Sequence, residues 1–293
     1  MTASTSPAVP DTAGTADRQE RIDRIRQAAH RIRRNALDEG EVQGQGYIGQ
    51  ALGVADVLAV VYADQLRFRP EDPHWPGRDR FLLSIGHYAI ALYAALAEAG
   101  IIPVEELETY GSDDSRLPMS AMASYTPGTE ISGGSLGHGL GVATGMALGL
   151  RLQGNPARVY DLLSDGELDE GSTWEAAMSC SHHGLDNVTA IVDMNALQAD
   201  GPTAGVLRTE PVTDKWRAFG WHALRVDGND VAALVDAFDE ARAHRGSPSV
   251  VICDTRIGHG VPLLAAREKA HFMRVEEHEW QIARDQLQEG LAR

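Results

Sequence analysis

The chain has 293 residues, 43% of them apolar, and a formal net charge of −16, the composition of a globular protein large for one domain and small for three. Negative charge on this scale repels nucleic-acid phosphates and anionic lipid, so neither is an expected partner. A small anionic ligand would need a local device such as a helix N-terminus or a metal ion. The only cysteines, Cys180 and Cys253, have no CxxC spacing, which argues against a disulfide framework or structural zinc and favours a reducing cytoplasm. The longest apolar stretch, Tyr88 to Ala97, is stopped by Glu98, well short of the ~20 residues of a membrane span. The first residues also lack the basic patch and apolar core of a secretory signal.

In chain order, residues 1–16 are rich in Ser, Thr, Ala and Pro without periodicity and read as a flexible tail, with one domain over 17–293. From Asp17, Ile22, Ile25, Ala29, Ile32 and Ala36 fall at helical spacing among seven arginines, an amphipathic helix with a basic face. On so acidic a chain that face is read as solvated or set against an acidic surface, with a polyanion site the weaker alternative. Gly40 to Gly49 contains four glycines and reads as a loop. Leu52 to Leu66 reads as helix, and Phe81 to Ser84 as a short apolar run. Ser84-Ile85-Gly86-His87 then opens a helical segment to about Ala99. Residues 111–135 show almost no period, the mark of a functional or disordered loop.

The second half alternates helices with short β-branched runs. Helices are expected at Leu136–Leu152, Glu170–His183 and Asp230–His244, and strands at Val159–Leu163, Val188–Val192, Ala223–Val226 and Ser249–Cys253. This pattern implies an α/β fold: a doubly wound parallel sheet with helices on both faces. Ligands in such sheets bind beyond the carboxyl ends of the strands. Two strand ends carry suitable chemistry, Ser164-Asp165-Gly166-Glu167 and Asp193-Met194-Asn195. An ordinary crossover would set Asp165 and Asn195 side by side. Their hard oxygens, with a carbonyl from the following turn at Leu197 and diphosphate oxygens, suit octahedral Mg²⁺. Gly166 permits close backbone approach, and the helix starting near Glu170 aims free N–H groups at phosphate. Taken singly, Asp-Gly is an everyday turn and Asn195 a helix cap; the pairing of two strand ends is what favours ligation.

The stretch SDGELDEGSTWEAAMSCSHHGLDNVTAIVDMNALQADGPT resembles the thiamine diphosphate motif of transketolases, in which Gly-Asp-Gly precedes the metal-binding Asn by about thirty residues. FLLSIGHYAIALYAALAEAG is similar to the family's histidine-bearing strand-to-helix turn, and YTPGTEISGGSLGHGLGVATGMALGL to its Gly-rich cofactor loop. DKWRAFGWHALRVDGND and VVICDTRIGHGV also fit, so the resemblance runs from about Arg24 to the C-terminus. It implies thiamine diphosphate and Mg²⁺ as cofactors, with Asp165, Asn195 and the Leu197 carbonyl on the metal and Gly166 and Glu167 at the diphosphate. It places His87 beside the diphosphate and reacting centre. The Gly134, Leu136 and Gly137 backbone falls against the aminopyrimidine, and His271 contacts cofactor and substrate. Glu170 matches a glutamate that communicates between cofactor sites.

What the resemblance covers is the diphosphate-binding half of a transketolase. It therefore implies one component of a split enzyme, paired with a subunit that carries the pyrimidine-binding domain, most simply as α2β2, moving a two-carbon ketol unit from a ketose to an aldehyde. Two departures fall on the substrate side. Tyr47 and Ser120 stand where the family has histidines, while Ser164 and Ala196 replace two glycines of the cofactor motif. Retained metal groups beside altered substrate groups suggest an unusual donor or acceptor. The rival readings are a thiamine-dependent 2-oxo acid decarboxylating or carboligating subunit, and a non-catalytic scaffold.

Overall fold

The computed structural model describes residues 12–268 and 270–291. Five parallel strands form the central sheet: β1 (Arg80–Leu83), β2 (Val159–Ser164), β3 (Val188–Met194), β4 (His222–Asp227) and β5 (Ser249–Asp254). Their spatial order is β1-β2-β3-β5-β4. Eight helices accompany them: α1 (Thr12–Gln43), α2 (Ile48–Val60), α3 (Ala89–Glu98), α4 (Gly139–Leu152), α5 (Gly171–His182), α6 (Val212–Ala218), α7 (Val231–Ala243) and α8 (Glu279–Leu291). Short helical turns supplement them.

Side chains on a strand alternate between faces, and here they feed two cores. Phe81, Leu83, Tyr160, Leu162, Ile191, Val251 and Cys253 point into a core built with α1, α2, α3, α7 and α8. Leu82, Val159, Leu163, Val188, Val192, Val250 and Ile252 point into the other, closed by α4, α5 and Trp216 of α6. A sheet covered on both sides needs apolar residues at nearly every strand position, which is why the strands read as continuous apolar runs. Cys180 and Cys253 are buried, free and in different cores.

Residues 1–11 of the expected tail lie outside the described residues. Helix α1 begins at Thr12, ahead of the expected boundary at Asp17. Its arginines meet acids of this same chain: Arg18 pairs with Asp236, Arg21 with Asp64 and Asp239, and Arg31 with Glu98. Arg33 is buried against Asp56 and donates to the Leu52 carbonyl at 3.0 Å. The basic face thus fastens α1 to its neighbouring helices.

The expected glycine loop is corrected. Helix α1 continues to Gln43 and α2 starts at Ile48, leaving a four-residue link between them. Two of the glycines serve close approach. A Cβ on Gly40 would lie 2.9 Å from the Ile48 side chain, and one on Gly49 would lie 2.5 Å from that of Ile257. Among the described residues no helix is long and apolar enough to cross a membrane.

Candidate active site

Ser164, the last residue of β2, pairs with Asp193 of β3. The chain leaves these neighbouring strands through Asp165 and Asn195, so the sheet brings together two residues thirty positions apart. Asp165 is 1% exposed. Its carboxylate accepts from the Gly166 N–H at 2.9 Å and from the Thr203 hydroxyl, with no cation among these partners. Burial pushes this carboxyl up to about 6; the Thr203 hydrogen bond opposes the rise and Asp193 adds to it. A buried carboxylate held without a counter-ion is ready to receive one.

The Asn195 amide donates to the Tyr88 hydroxyl at 2.9 Å and to Asp193 at 2.6 Å, while its Oδ1 accepts from the Leu197 N–H at 3.0 Å. Tyr88 also donates to Asp193 at 2.7 Å. This network fixes the carboxamide at the lip of the site. Between Asn195 and Leu197, Ala196 holds φ at +63°, a left-handed conformation that costs a residue with a Cβ about 1 kcal/mol. Ala196→Gly is therefore expected to stabilise the protein by up to about that amount, read as a small rise in Tm.

A cavity of about 240 Å³ opens here, lined by Asp165, Gly166, Leu197, His87, His271 and Glu170 among others. His87 sits in the single turn Gly86–Tyr88 that follows β1. Its ring stands 4.6 Å from that of Tyr47 and 5.9 Å from that of His271. Burial, then the neighbouring His271, pushes the His87 imidazole down to about 4. Burial also lowers His271, against a hydrogen bond to the Leu197 backbone. Both shifts favour the neutral imidazole.

The Gly-rich loop is set by exclusion. Gly137 has φ +83°, and a Cβ there would lie 2.4 Å from the Ser172 hydroxyl and 2.7 Å from Glu170 Cβ. Leu136 lines the cavity. The Gly134 N–H donates to the Ser84 carbonyl at 2.8 Å. Ser120 is exposed, with its hydroxyl 3.3 Å from where a Cβ on Gly134 would stand. Tyr47, just before α2, meets His271 edge-on at 5.4 Å and Phe272 at 5.2 Å. Tyr47 thus stands beside His87 and His271, and Ser120 beside Gly134.

Glu167 is wholly buried and is not among the residues that line the cavity. One carboxylate oxygen accepts from the Gly137 N–H at 2.8 Å and from the Ser84 hydroxyl. The tight turn Asp165–Asp169 rotates it inward, so it is a strut between the Gly-rich loop and the end of β1. Burial pushes its carboxyl up to about 7. Sequence reasoning missed Tyr88, Asp193 and Thr203, which hold the ligand candidates in place. The first two adjoin residues already singled out, and that adjacency was the available signal.

Residues 25–290 match the family described as transketolase, thiamine diphosphate binding domain. The chain belongs to the transketolase family. A transketolase family protein of Sinorhizobium fredii is 67% identical over 86% of this chain and 91% of its own length. The 6-deoxy-6-sulfo-D-fructose transketolase subunit of a Clostridium species is 38% identical over 92% of this chain and 98% of its own length. Among solved structures, the transketolase of Campylobacter jejuni superposes with a TM-score of 0.83 at 29% identity, covering 92% of this chain and 43% of that one. The transketolase of Leishmania mexicana gives 0.81 at 28% identity, with coverage of 92% and 44%. The chain thus spans less than half the length of these solved transketolases, but nearly all of the transketolase subunit it resembles. The doubly wound α/β fold expected from the sequence is the fold of this family, and the family's domain binds thiamine diphosphate.

Proposed function

We propose that this chain is the diphosphate-binding subunit of a two-component transketolase, which moves a two-carbon ketol unit from a ketose donor to an aldehyde acceptor. The observation that carries the reading is the convergence of Asp165 and Asn195 at the ends of adjacent strands, beside a cavity that also holds His87 and His271. Relatives of nearly the same length are named as transketolase subunits acting on 6-deoxy-6-sulfo-D-fructose and on apulose 4-phosphate. That likeness supports a partner chain carrying the pyrimidine-binding domain, in an α2β2 assembly in the cytoplasm.

The donor set fits Mg²⁺ and thiamine diphosphate. Asp165 is a buried carboxylate without a cation, Asn195 is braced by Tyr88 and Asp193, and the Leu197 carbonyl follows two residues later. All three offer the hard oxygens that Mg²⁺ takes. When bound, thiamine diphosphate supplies the electron sink for carbon–carbon bond cleavage. This chain's residues bind, orient and exclude water. Asp165, Asn195 and Leu197 hold the metal, and Gly166 and the N-terminus of α5 face the diphosphate. The Gly134–Gly137 backbone carries the aminopyrimidine. His87 and His271, both on the cavity wall, would exchange protons and hydrogen-bond the substrate oxygen as charge develops there. Glu170, exposed at the start of α5, faces the partner.

The test is reconstitution with the chain that carries the complementary half. The chain alone, supplied with thiamine diphosphate and Mg²⁺, is expected to transfer no ketol unit, and the mixture to transfer it readily. Turnover by the single polypeptide overturns the two-component reading. Release of carbon dioxide from a 2-oxo acid, without a ketose donor, replaces transfer with decarboxylation.

A further inference from the structure

Gln50 lies in the first turn of α2 and is 1% exposed. Its amide nitrogen is 3.1 Å from Nδ1 of His271 and 2.6 Å from the His271 backbone oxygen. A carbonyl oxygen can only accept, so the amide atom facing it is the NH2 group. The Gln50 oxygen is buried without a partner; turning the amide over would set oxygen against oxygen and gain no bond. The same NH2 therefore donates to Nδ1, which must be bare. A neutral imidazole with a bare Nδ1 carries its proton on Nε2.

The contact is built into the packing. A Cβ on Gly49 would lie 2.8 Å from the Met273 side chain and 3.1 Å from the Ala270 carbonyl, so the backbone of the first turn of α2 meets the 270–273 segment directly. Gln45 and Gly46 pair with Arg274 and Met273 as a two-residue antiparallel bridge. The Val275 N–H donates to the Gly44 carbonyl at 2.9 Å. The Tyr47 ring closes the remaining side of the imidazole at 5.4 Å. By contrast, the groups that act on His87 are burial and His271, and no hydrogen bond is among them.

We propose that Gln50 is a positioning residue that holds His271 as the Nε2-protonated tautomer, so that His271 offers its N–H on the side of the Leu197 backbone at the cavity wall and proton acceptance falls to His87. The division of labour rests on the transferase reading; the tautomer itself does not. Gln50→Glu replaces the NH2 with an acceptor, which calls the proton to Nδ1 while setting an oxygen against the His271 carbonyl. Gln50→Ala removes the clamp and leaves the ring free to mix both forms.

The experiment is long-range ¹H–¹⁵N correlation on the full chain with ¹⁵N-labelled histidine, with His271 assigned by its loss in His271→Asn. The wild type is expected to show protonated Nε2 and bare Nδ1, Gln50→Glu the reverse, and Gln50→Ala an average of the two. In the two-chain enzyme both variants are expected to lower kcat by roughly tenfold or more, with donor KM within about threefold. A wild-type proton on Nδ1, or variants that leave the tautomer unchanged, overturns the proposal. So does a loss confined to KM. If Gln50→Glu fails to fold, Gln50→Ala carries both readouts. A tautomer that follows residue 50, in a chain whose wild-type assembly transfers no ketol unit, supports the placement of His271 and overturns the transferase reading instead.

Discussion

Asp165→Ala is expected to lower ketol transfer by the assembled enzyme by about a thousandfold, because a bound divalent ion contributes several kcal/mol to stabilising the charge that develops in the reaction. Asp165 carries the one carboxylate in the proposed metal set. Asp193 is nearby, but its oxygens are committed to Thr255, Tyr88 and Asn195. Calorimetric titration of the variant with thiamine diphosphate and Mg²⁺ should show little heat, and raising Mg²⁺ should restore little activity. A variant with wild-type magnesium dependence removes Asp165 from the metal. Melting is a useful control, since Asp165 also anchors the Thr203 hydroxyl, and loss of that bond alone costs only about 1 kcal/mol.

Asp161→Val is expected to act in the opposite direction, raising the stability of the chain. Asp161 lies in the middle of β2, fully buried, and neither carboxylate oxygen has a hydrogen-bond partner. Burial, reinforced by Glu167, drives its carboxyl well above the ordinary range and so favours the protonated form in the folded protein. Burying an unpartnered polar group costs about 1–3 kcal/mol. Valine favours a strand, and one of its methyls takes the place of the carboxyl carbon while the other leaves Cβ in a direction the carboxyl does not use. A gain of about 2 kcal/mol corresponds to a Tm rise of roughly 4–8 °C.

The pH dependence has a definite sign. The folded state binds this proton more tightly than the unfolded chain, so below about pH 4 both forms are protonated and the group exacts no proton-linked penalty. As the pH rises above 4 the unfolded chain ionises first and is favoured, so folding stability falls until the folded value is passed. The Tm advantage of Asp161→Val should therefore widen as the pH rises above about 4. A constant advantage would show that the buried acid is not what titrates.

Much of the sheet was legible in the sequence, because strands buried on both faces must be apolar throughout. Val159–Ser164, Val188–Met194 and Ser249–Asp254 stand out as such runs between glycines and helical segments. The pairing of Asp165 with Asn195 followed from that topology alone. Gly40 to Gly49 was not legible, since composition does not separate a glycine that turns the chain from one that lets two helices touch. Helix α8 also escaped notice; its buried stripe is only Trp280, Ala283 and Leu287 in a polar sequence. The Tyr88–Asp193 bond joins residues 105 apart in sequence, a distance over which no local pattern carries information. Glu167 is two residues from Asp165, yet one tight turn sends its side chain to the Gly137 N–H and the Ser84 hydroxyl, partners that no local pattern announces.

The small bridge between Gln45–Gly46 and Met273–Arg274 has a consequence for biogenesis. During translation the groups proposed to grip the diphosphate emerge from the ribosome well before His271, which joins them only when a late segment folds back onto the second helix. A nascent chain arrested between those points would carry a nearly finished anchor for the coenzyme with one wall of its reaction chamber still unbuilt.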